Sequence, residues 1–178
     1  QQAPVTDRDL GAKTSAVDSL IYRYRDLGHL QASTDPLTPD PADHPELSLA
    51  AFGLTEADLK KTFYPLRFQK SSATLQEIVD LLKETYCGKL GVEFMHIQNP
   101  QKRDWLKQRM EEKRNLPQLD REEQLHVLEK LQEASLFEAF LHRKFLGQKR
   151  FSLEGGEAII PLLDSLLVQA AEWGVSDL

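Results

Sequence analysis

Apolar positions along this chain recur at intervals of three and four, the spacing that lines them up on one face of a helix. Val17, Leu20, Ile21, Tyr24 and Leu27 form the first such stripe. Thr14 or Ser15 can cap it, and Gly28 can end it, since glycine tolerates the left-handed conformation at a helix C-terminus. Residues 1–13 are polar, and a frayed segment is expected there. A second stripe, Leu75, Ile78, Val79, Leu82 and Tyr86, follows Thr74-Leu75-Gln76-Glu77. In that tetrad hydroxyl and carboxylate each accept a backbone N–H that the helix start leaves free. Cys87-Gly88 stops the helix.

Between the two stripes the pattern breaks. Residues 33–48 hold Pro36, Pro39, Pro41 and Pro45, which fix φ and remove donors. They predict an irregular strap, packed on the helices by Leu37 and Leu47. Thr55-Glu56-Ala57-Asp58 opens a short helix, closed off by Pro65. Val92 to Ile97 reads as extended. Pro100 starts a helix through Arg114 with Trp105, Leu106 and Met110 facing inwards. Asp120 to Glu123 is a second capping box, ahead of Leu125, Val127, Leu128 and Leu131. Ser135 is read as capping a further helix with Leu136, Phe137, Phe140, Leu141 and Phe145, ended by Gly147. Phe151 to Leu153 reads as a strand or turn and Gly155-Gly156 as a loop. Glu157 to Trp173 makes the last helix, with Ile159, Ile160, Leu163, Leu166 and Leu167 buried. The chain is therefore mostly α.

Composition narrows the class. The 178 residues are 40% hydrophobic and 28% charged, the balance of a globular chain. No apolar run reaches the roughly 20 residues of a membrane helix. The best candidate, Ala158 to Ala171, is broken by Pro161, Asp164 and Gln169, and no signal peptide is visible at the N-terminus. One cysteine excludes an intrachain disulfide and a four-cysteine zinc site. A net charge of −6 argues against nucleic acid as a partner. Charge is uneven, with seven acids and no Lys or Arg from Asp26 to Asp58, and acids alone from Phe151 onwards. Residues 101–114 reverse this, with six Lys and Arg against three acids. Ion pairs along a solvated helix face, such as Asp104 with Lys107, account for that stretch better than a docking face for an acidic partner.

Candidate chemistry is sparse. Glu123-Gln124-Leu125-His126 matches the Glu-x-x-His of di-iron bundles, but such a site needs two copies and two further glutamates. His29, Asp35, Asp40, Asp43 and His44 fit no calcium-loop spacing and read as solvated loop. Cys87 lies at a helix C-terminus, where the dipole does not favour a thiolate, and reads as packing. Lys149-Arg150 ahead of Gly155-Gly156 suggests an anion entry at a helix start. Glu154 and Glu157 at the same end favour a loop capped by its own carboxylates.

Several segments together resemble one family. Leu20-Ile21-Tyr22-Arg23-Tyr24-Arg25-Asp26-Leu27-Gly28-His29-Leu30 with Asp35-Pro36-Leu37 is similar to the "LIRAYRxRGHLxAxxDPL" stretch of 2-oxoglutarate dehydrogenases. Thr85-Tyr86-Cys87-Gly88 with Gly91 to Ile97 resembles "TYCGxxGxEYMHI", and Trp105-Leu106 with Arg109-Met110-Glu111 resembles "WLxxRxE". Gly147 to Glu157, with Ile160-Pro161 after it, is the most specific match. The order and spacing hold from residue 15 to the end.

The resemblance is to the N-terminal portion of the thiamine-diphosphate-dependent decarboxylase component of the 2-oxoglutarate dehydrogenase complex. It implies an oxidoreductase of the tricarboxylic acid cycle, which decarboxylates 2-oxoglutarate and passes succinyl to the lipoyl group of the succinyltransferase. It implies a helical domain over 14–146 and the beginning of a truncated α/β cofactor-binding domain over 147–178. Thiamine diphosphate and Mg2+ are expected in the intact protein, but neither on this chain, because the family's "PHRGRLN" and magnesium motifs are not among its residues. The 178 residues alone are expected to be inactive. No residue is expected to be catalytic, to bind cofactor or to ligate metal. His29, His96, Arg150, Glu154 and Glu157 are motif residues of indirect role, the last three as buttresses of an active-site entrance. Some relatives carry a calcium site that uses a second histidine where Leu30 stands here. The implied partners are the dihydrolipoyl succinyltransferase and a second copy, with neither nucleic acid nor membrane. The implied compartment is cytoplasm or mitochondrial matrix. The alternative expectation is a free-standing helical interaction module of a dehydrogenase complex.

Overall fold

A computed structural model of the chain describes residues 7–177, with side chains from Gly11 onwards. It is mostly α-helical, with five α-helices, four short 3-10 turns and one two-stranded sheet among the described residues. The chain divides into two compact units, one ending at Pro117 and one starting at Gln118.

The first unit is built on two helices, α1 (Asp7–Leu27) and α2 (Leu75–Tyr86). Both stripes read from the sequence are buried: Val17, Leu20, Ile21, Leu75, Ile78 and Leu82 are each 0% exposed. Burying a side chain of this size contributes about 1.5–3 kcal/mol, so this interface dominates the unit. The start of α2 is fully satisfied. Thr74 Oγ1 accepts the Glu77 N–H at 3.2 Å, and the Glu77 carboxylate accepts the Thr74 N–H at 2.8 Å. The N–H groups of Leu75 and Gln76 donate to the carbonyls of Lys61 and Leu59.

Several expectations for this unit are corrected. The first helix starts at Asp7 rather than at Thr14 or Ser15, so 7–13 is helical, while residues 1–6 lie outside the described residues. Gly28 does not end the helix in the left-handed conformation; it opens a 3-10 turn, Gly28–Gln31. Its smallness serves packing instead, since a Cβ there would sit 2.6 Å from the Tyr86 Cβ. The strap is anchored by Leu47, 4% exposed, while Leu37 is 92% exposed. The segment Val92 to Ile97 forms no strand; its one buried side chain, Phe94, stacks on Tyr86 with ring centroids 6.0 Å apart. The strands that do form, β1 (Thr62–Phe63) and β2 (Ala73–Thr74), pair antiparallel with Thr62 opposite Thr74. They went unread because two residues cannot display an alternation.

Helix α3 (Pro100–Lys113) is capped by the Asn99 side chain, which accepts the Lys102 N–H at 3.0 Å. Leu106 and Met110 pack on the core, but Trp105 points outwards, 55% exposed, with the Arg109 guanidinium 5.2 Å from its ring centroid.

In the second unit, Asp120 and Glu123 close the expected capping box on α4 (Arg121–Lys144). Ser135 caps nothing. It lies inside one helix of 24 residues, because no glycine or proline interrupts 121–144. The last helix, α5 (Ile159–Glu172), starts two residues later than expected, with Pro161 in its first turn. It lies against α4, where the Asp164 carboxylate takes His126 Nε2 at 2.6 Å and Lys130 Nζ at 3.7 Å. The expected burial is not found: Ile159, Leu163, Leu166 and Leu167 are all more than 40% exposed. A pair of helices has too little surface of its own to cover two apolar stripes.

Candidate functional site

The most constrained polar group of the first unit joins three helices. Arg25 on α1 grips Glu111 on α3 with two hydrogen bonds, Nε to Oε1 at 2.7 Å and Nη2 to Oε2 at 3.1 Å. The Tyr86 hydroxyl at the end of α2 donates to the same Oε1 at 2.9 Å. Arg25 Nη2 also reaches the Arg67 carbonyl at 2.8 Å. Arg25, Tyr86 and Glu111 are 5%, 0% and 4% exposed. A forked guanidinium–carboxylate pair is the arrangement that withstands such burial. Burial, then the charge of Glu111, pushes the Tyr86 phenol far above its ordinary range, so it stays a donor. The cluster carries no nucleophile. It is a three-way clamp that fixes α1, α2 and α3 in register.

A second buried charge closes the 55–62 turn. Asp58, 0% exposed, accepts from Lys13 Nζ at 2.8 Å, Lys61 Nζ at 2.6 Å and the Thr55 N–H at 3.0 Å. Burial opposes its charge, but these hydrogen bonds prevail and hold the carboxyl well below the usual range.

The residues singled out from sequence fall in both units, and no single site gathers them. His29 sits in the 3-10 turn after α1, its Nε2 4.0 Å from the Glu93 carboxylate and its buried Nδ1 without a hydrogen-bond partner among the described residues. His96 is exposed. In the second unit Arg150 Nη1 donates to Glu138 Oε2 at 2.8 Å, and Glu138 Oε1 accepts the Leu153 N–H at 3.2 Å. Glu157 Oε2 accepts the Gly155 N–H at 3.0 Å. Glu154 is exposed. Glu138 is the member that sequence reading missed; it is one of several acids along a long helix, and only the fold shows which one meets Arg150.

These groups do not suit a diphosphate or its metal. The Arg150 guanidinium is engaged by Glu138. The Gly155 and Gly156 N–H groups are taken by Glu157 and by the Leu153 carbonyl at 2.6 Å. Among the described residues no three His, Cys, Asp or Glu side chains are placed to hold a metal ion. Nor is any helix among them long and apolar enough to cross a membrane.

Fold and clusters thus define a mostly helical module whose buried charges brace helices together. No family model matches the chain. It is 42% identical over 169 residues to the multifunctional 2-oxoglutarate metabolism enzyme of Mycolicibacterium vanbaalenii, covering 93% of this chain and 13% of that protein. It is 40% identical over 175 residues to the 2-oxoglutarate dehydrogenase E1 component of Cupriavidus necator, covering 97% of this chain and 18% of the relative. Against the same component of Haemophilus influenzae it is 39% identical over 178 residues, covering 97% and 19%. The chain spans less than a fifth of the length of these curated relatives. The resemblance read from its motifs therefore holds over nearly its whole length: the chain is similar to a portion of the decarboxylase component of 2-oxoglutarate dehydrogenase.

Proposed function

We propose that this chain is the N-terminal helical region of a protein that decarboxylates 2-oxoglutarate and transfers the succinyl group to the lipoyl group of a dihydrolipoyl succinyltransferase. The observation that carries the reading is identity near 40% across almost all of the chain to 2-oxoglutarate dehydrogenase E1 components. In this reading the 178 residues supply a brace and no catalytic group. Thiamine diphosphate and Mg2+ are held by residues outside them, and the intact protein is a homodimer. Arg150, Glu154 and Glu157 buttress the approach to the cofactor domain, through the Arg150–Glu138 pair and the Gly155 loop closed by Glu157. The uncovered apolar positions of α5 support a further layer, supplied by the cofactor domain, packed against that helix.

The test compares two proteins, the 178-residue chain and the longer product read from its gene past Leu178. The longer protein is expected to bind thiamine diphosphate with Mg2+ by calorimetry and to release CO2 from 2-oxoglutarate. The short chain is expected to do neither. Cofactor binding by the short chain, or a longer protein inert toward 2-oxoglutarate, overturns the reading.

A further inference from the structure

Helix α4 carries apolar side chains on two sides, and α5 accounts for only one of them. Val127, Leu131, Ala134 and Leu141 are partly covered, and His126 and Lys130, on that side, reach Asp164 of α5. Leu125, Leu128, Leu136 and Phe140 are each more than half exposed. Together with Gln132 they follow at steps of three and four, so they lie in one stripe. At 3.6 residues per turn this stripe falls on the side of α4 turned away from α5. A layer packed on α5 is separated from it by the thickness of α4 itself, about 10 Å.

Charge along the helix selects what covers the stripe. Glu122 and Glu129 flank it in the first half of α4, and Arg143 and Lys144 stand at its far end, in the last turn. None of these four is in an ion pair among the described residues. A second α4 laid antiparallel on the first brings Glu122 of each copy opposite Arg143 and Lys144 of the other, at both ends of the contact. The same register sets Leu125 against Phe140, Leu128 against Leu136, and the Gln132 amide against its own counterpart at the twofold axis. Flanking charges of this kind set the orientation of paired helices, and a single polar residue within an apolar seam sets their register. A parallel pair would place like charges together at both ends.

We propose that the outer stripe of α4 is a twofold interface on which a second copy of this chain docks antiparallel. The proposal gives the homodimer expected above a surface on this chain, and it rests on none of the decarboxylase chemistry. A monomeric chain would overturn it and leave the cofactor test untouched.

The experiment is sedimentation equilibrium of the 178-residue chain. One pair of helices makes a small interface, so a monomer–dimer equilibrium with a Kd of about 1–100 µM is expected. Leu128→Lys/Leu136→Lys changes two exposed side chains, should keep the parent melting curve, and should weaken association at least about tenfold. Leu163→Lys, on α5, should associate as the parent does. Orientation is read by oxidative cross-linking in a Cys87→Ser background. The Leu125→Cys/Phe140→Cys protein should link into covalent dimers, and neither single cysteine variant should. A chain that stays monomeric at millimolar concentration overturns the proposal. So does association that is lost with Leu163→Lys but kept with Leu128→Lys/Leu136→Lys, which would move the contact to α5. So does a Leu125→Cys protein that links to itself, the mark of a parallel pair.

Discussion

Substituting leucine for Glu111 strands two polar groups at once. Arg25, 5% exposed, loses both bonds of its fork and keeps only the Arg67 carbonyl, while the Tyr86 hydroxyl loses its acceptor. Removing one member of a buried ion pair costs about 3–5 kcal/mol, chiefly through the charge left behind. An unpaired buried hydroxyl costs a further 1–3 kcal/mol or so. The two losses share an acceptor and are not additive, so about 4 kcal/mol is expected. That is a large part of the 5–15 kcal/mol or so that holds a typical domain. Urea unfolding reads it out. In a Trp173→Phe background, Trp105 is the only tryptophan and reports on the first unit alone. With a slope of about 2 kcal/mol per molar urea, the midpoint should fall by about 2 M. The companion Arg25→Met/Glu111→Leu protein removes the stranded charge and should recover most of the loss. A Glu111→Leu cost below about 1 kcal/mol, or a double variant no more stable than the single one, would refute the account of the clamp.

Two further outcomes test the packing and the second buried charge. Gly28→Ala forces a methyl to within 2.6 Å of the Tyr86 Cβ and should cost about 1–3 kcal/mol, whereas Gly11→Ala, inside α1 with nothing within 4 Å, should gain about 0.5–1 kcal/mol; equal melting shifts for the pair would contradict the close approach. Asp58 has a folded pKa below its unfolded one, so its contribution is complete above the ordinary carboxylate range near about 4 and is lost as pH falls from there toward the depressed value. Asp58→Asn should therefore cost on the order of 2–3 kcal/mol at pH 7 and flatten the acid limb of a stability–pH curve, and an unchanged acid limb would count against the buried pairing.

The parts of the fold legible in sequence are those whose signal is local. The stripes of α1 and α2 and the capping boxes at Thr74 and Asp120 depend only on neighbours three and four apart, and all are present. What escaped depends on partners distant in the chain. Ser135 has the chemistry of a cap, but a cap needs a break in the helix, and Gln132-Glu133-Ala134 before it favours continuation. The apolar spacing of α5 is real, yet spacing gives a face and not what covers it, so Leu163, Leu166 and Leu167 stand in solvent. Trp105 shows the same limit within α3: a large aromatic suggests burial, but the inward face holds Leu106, Met110 and Glu111. No rule of periodicity places a glutamate there.

That inward glutamate gives the motifs a physical meaning. Three separate stretches carry most of the resemblance in the first unit: the Tyr24-Arg25…Gly28 run, Thr85-Tyr86, and Trp105…Arg109…Glu111. Each delivers a residue to one buried point. Arg25 comes from the first, Tyr86 from the second and Glu111 from the third, with Gly28 giving way to Tyr86 beside them. Thr85 is held as well, its hydroxyl bonded to the Leu81 carbonyl and its own carbonyl accepting from Asn115 at the end of α3. Motif residues are usually read first as catalytic, and Arg, Tyr and Glu together invite it. Here all three are bonded to one another, at 0–5% exposure. The spacing of the motifs records which turns of three helices must meet. An arginine-to-lysine change at position 25 discriminates between the two meanings, since a point charge cannot reproduce the fork that spans both Glu111 oxygens and the Arg67 carbonyl. Such a change should loosen the first unit itself, whatever chemistry the intact protein performs.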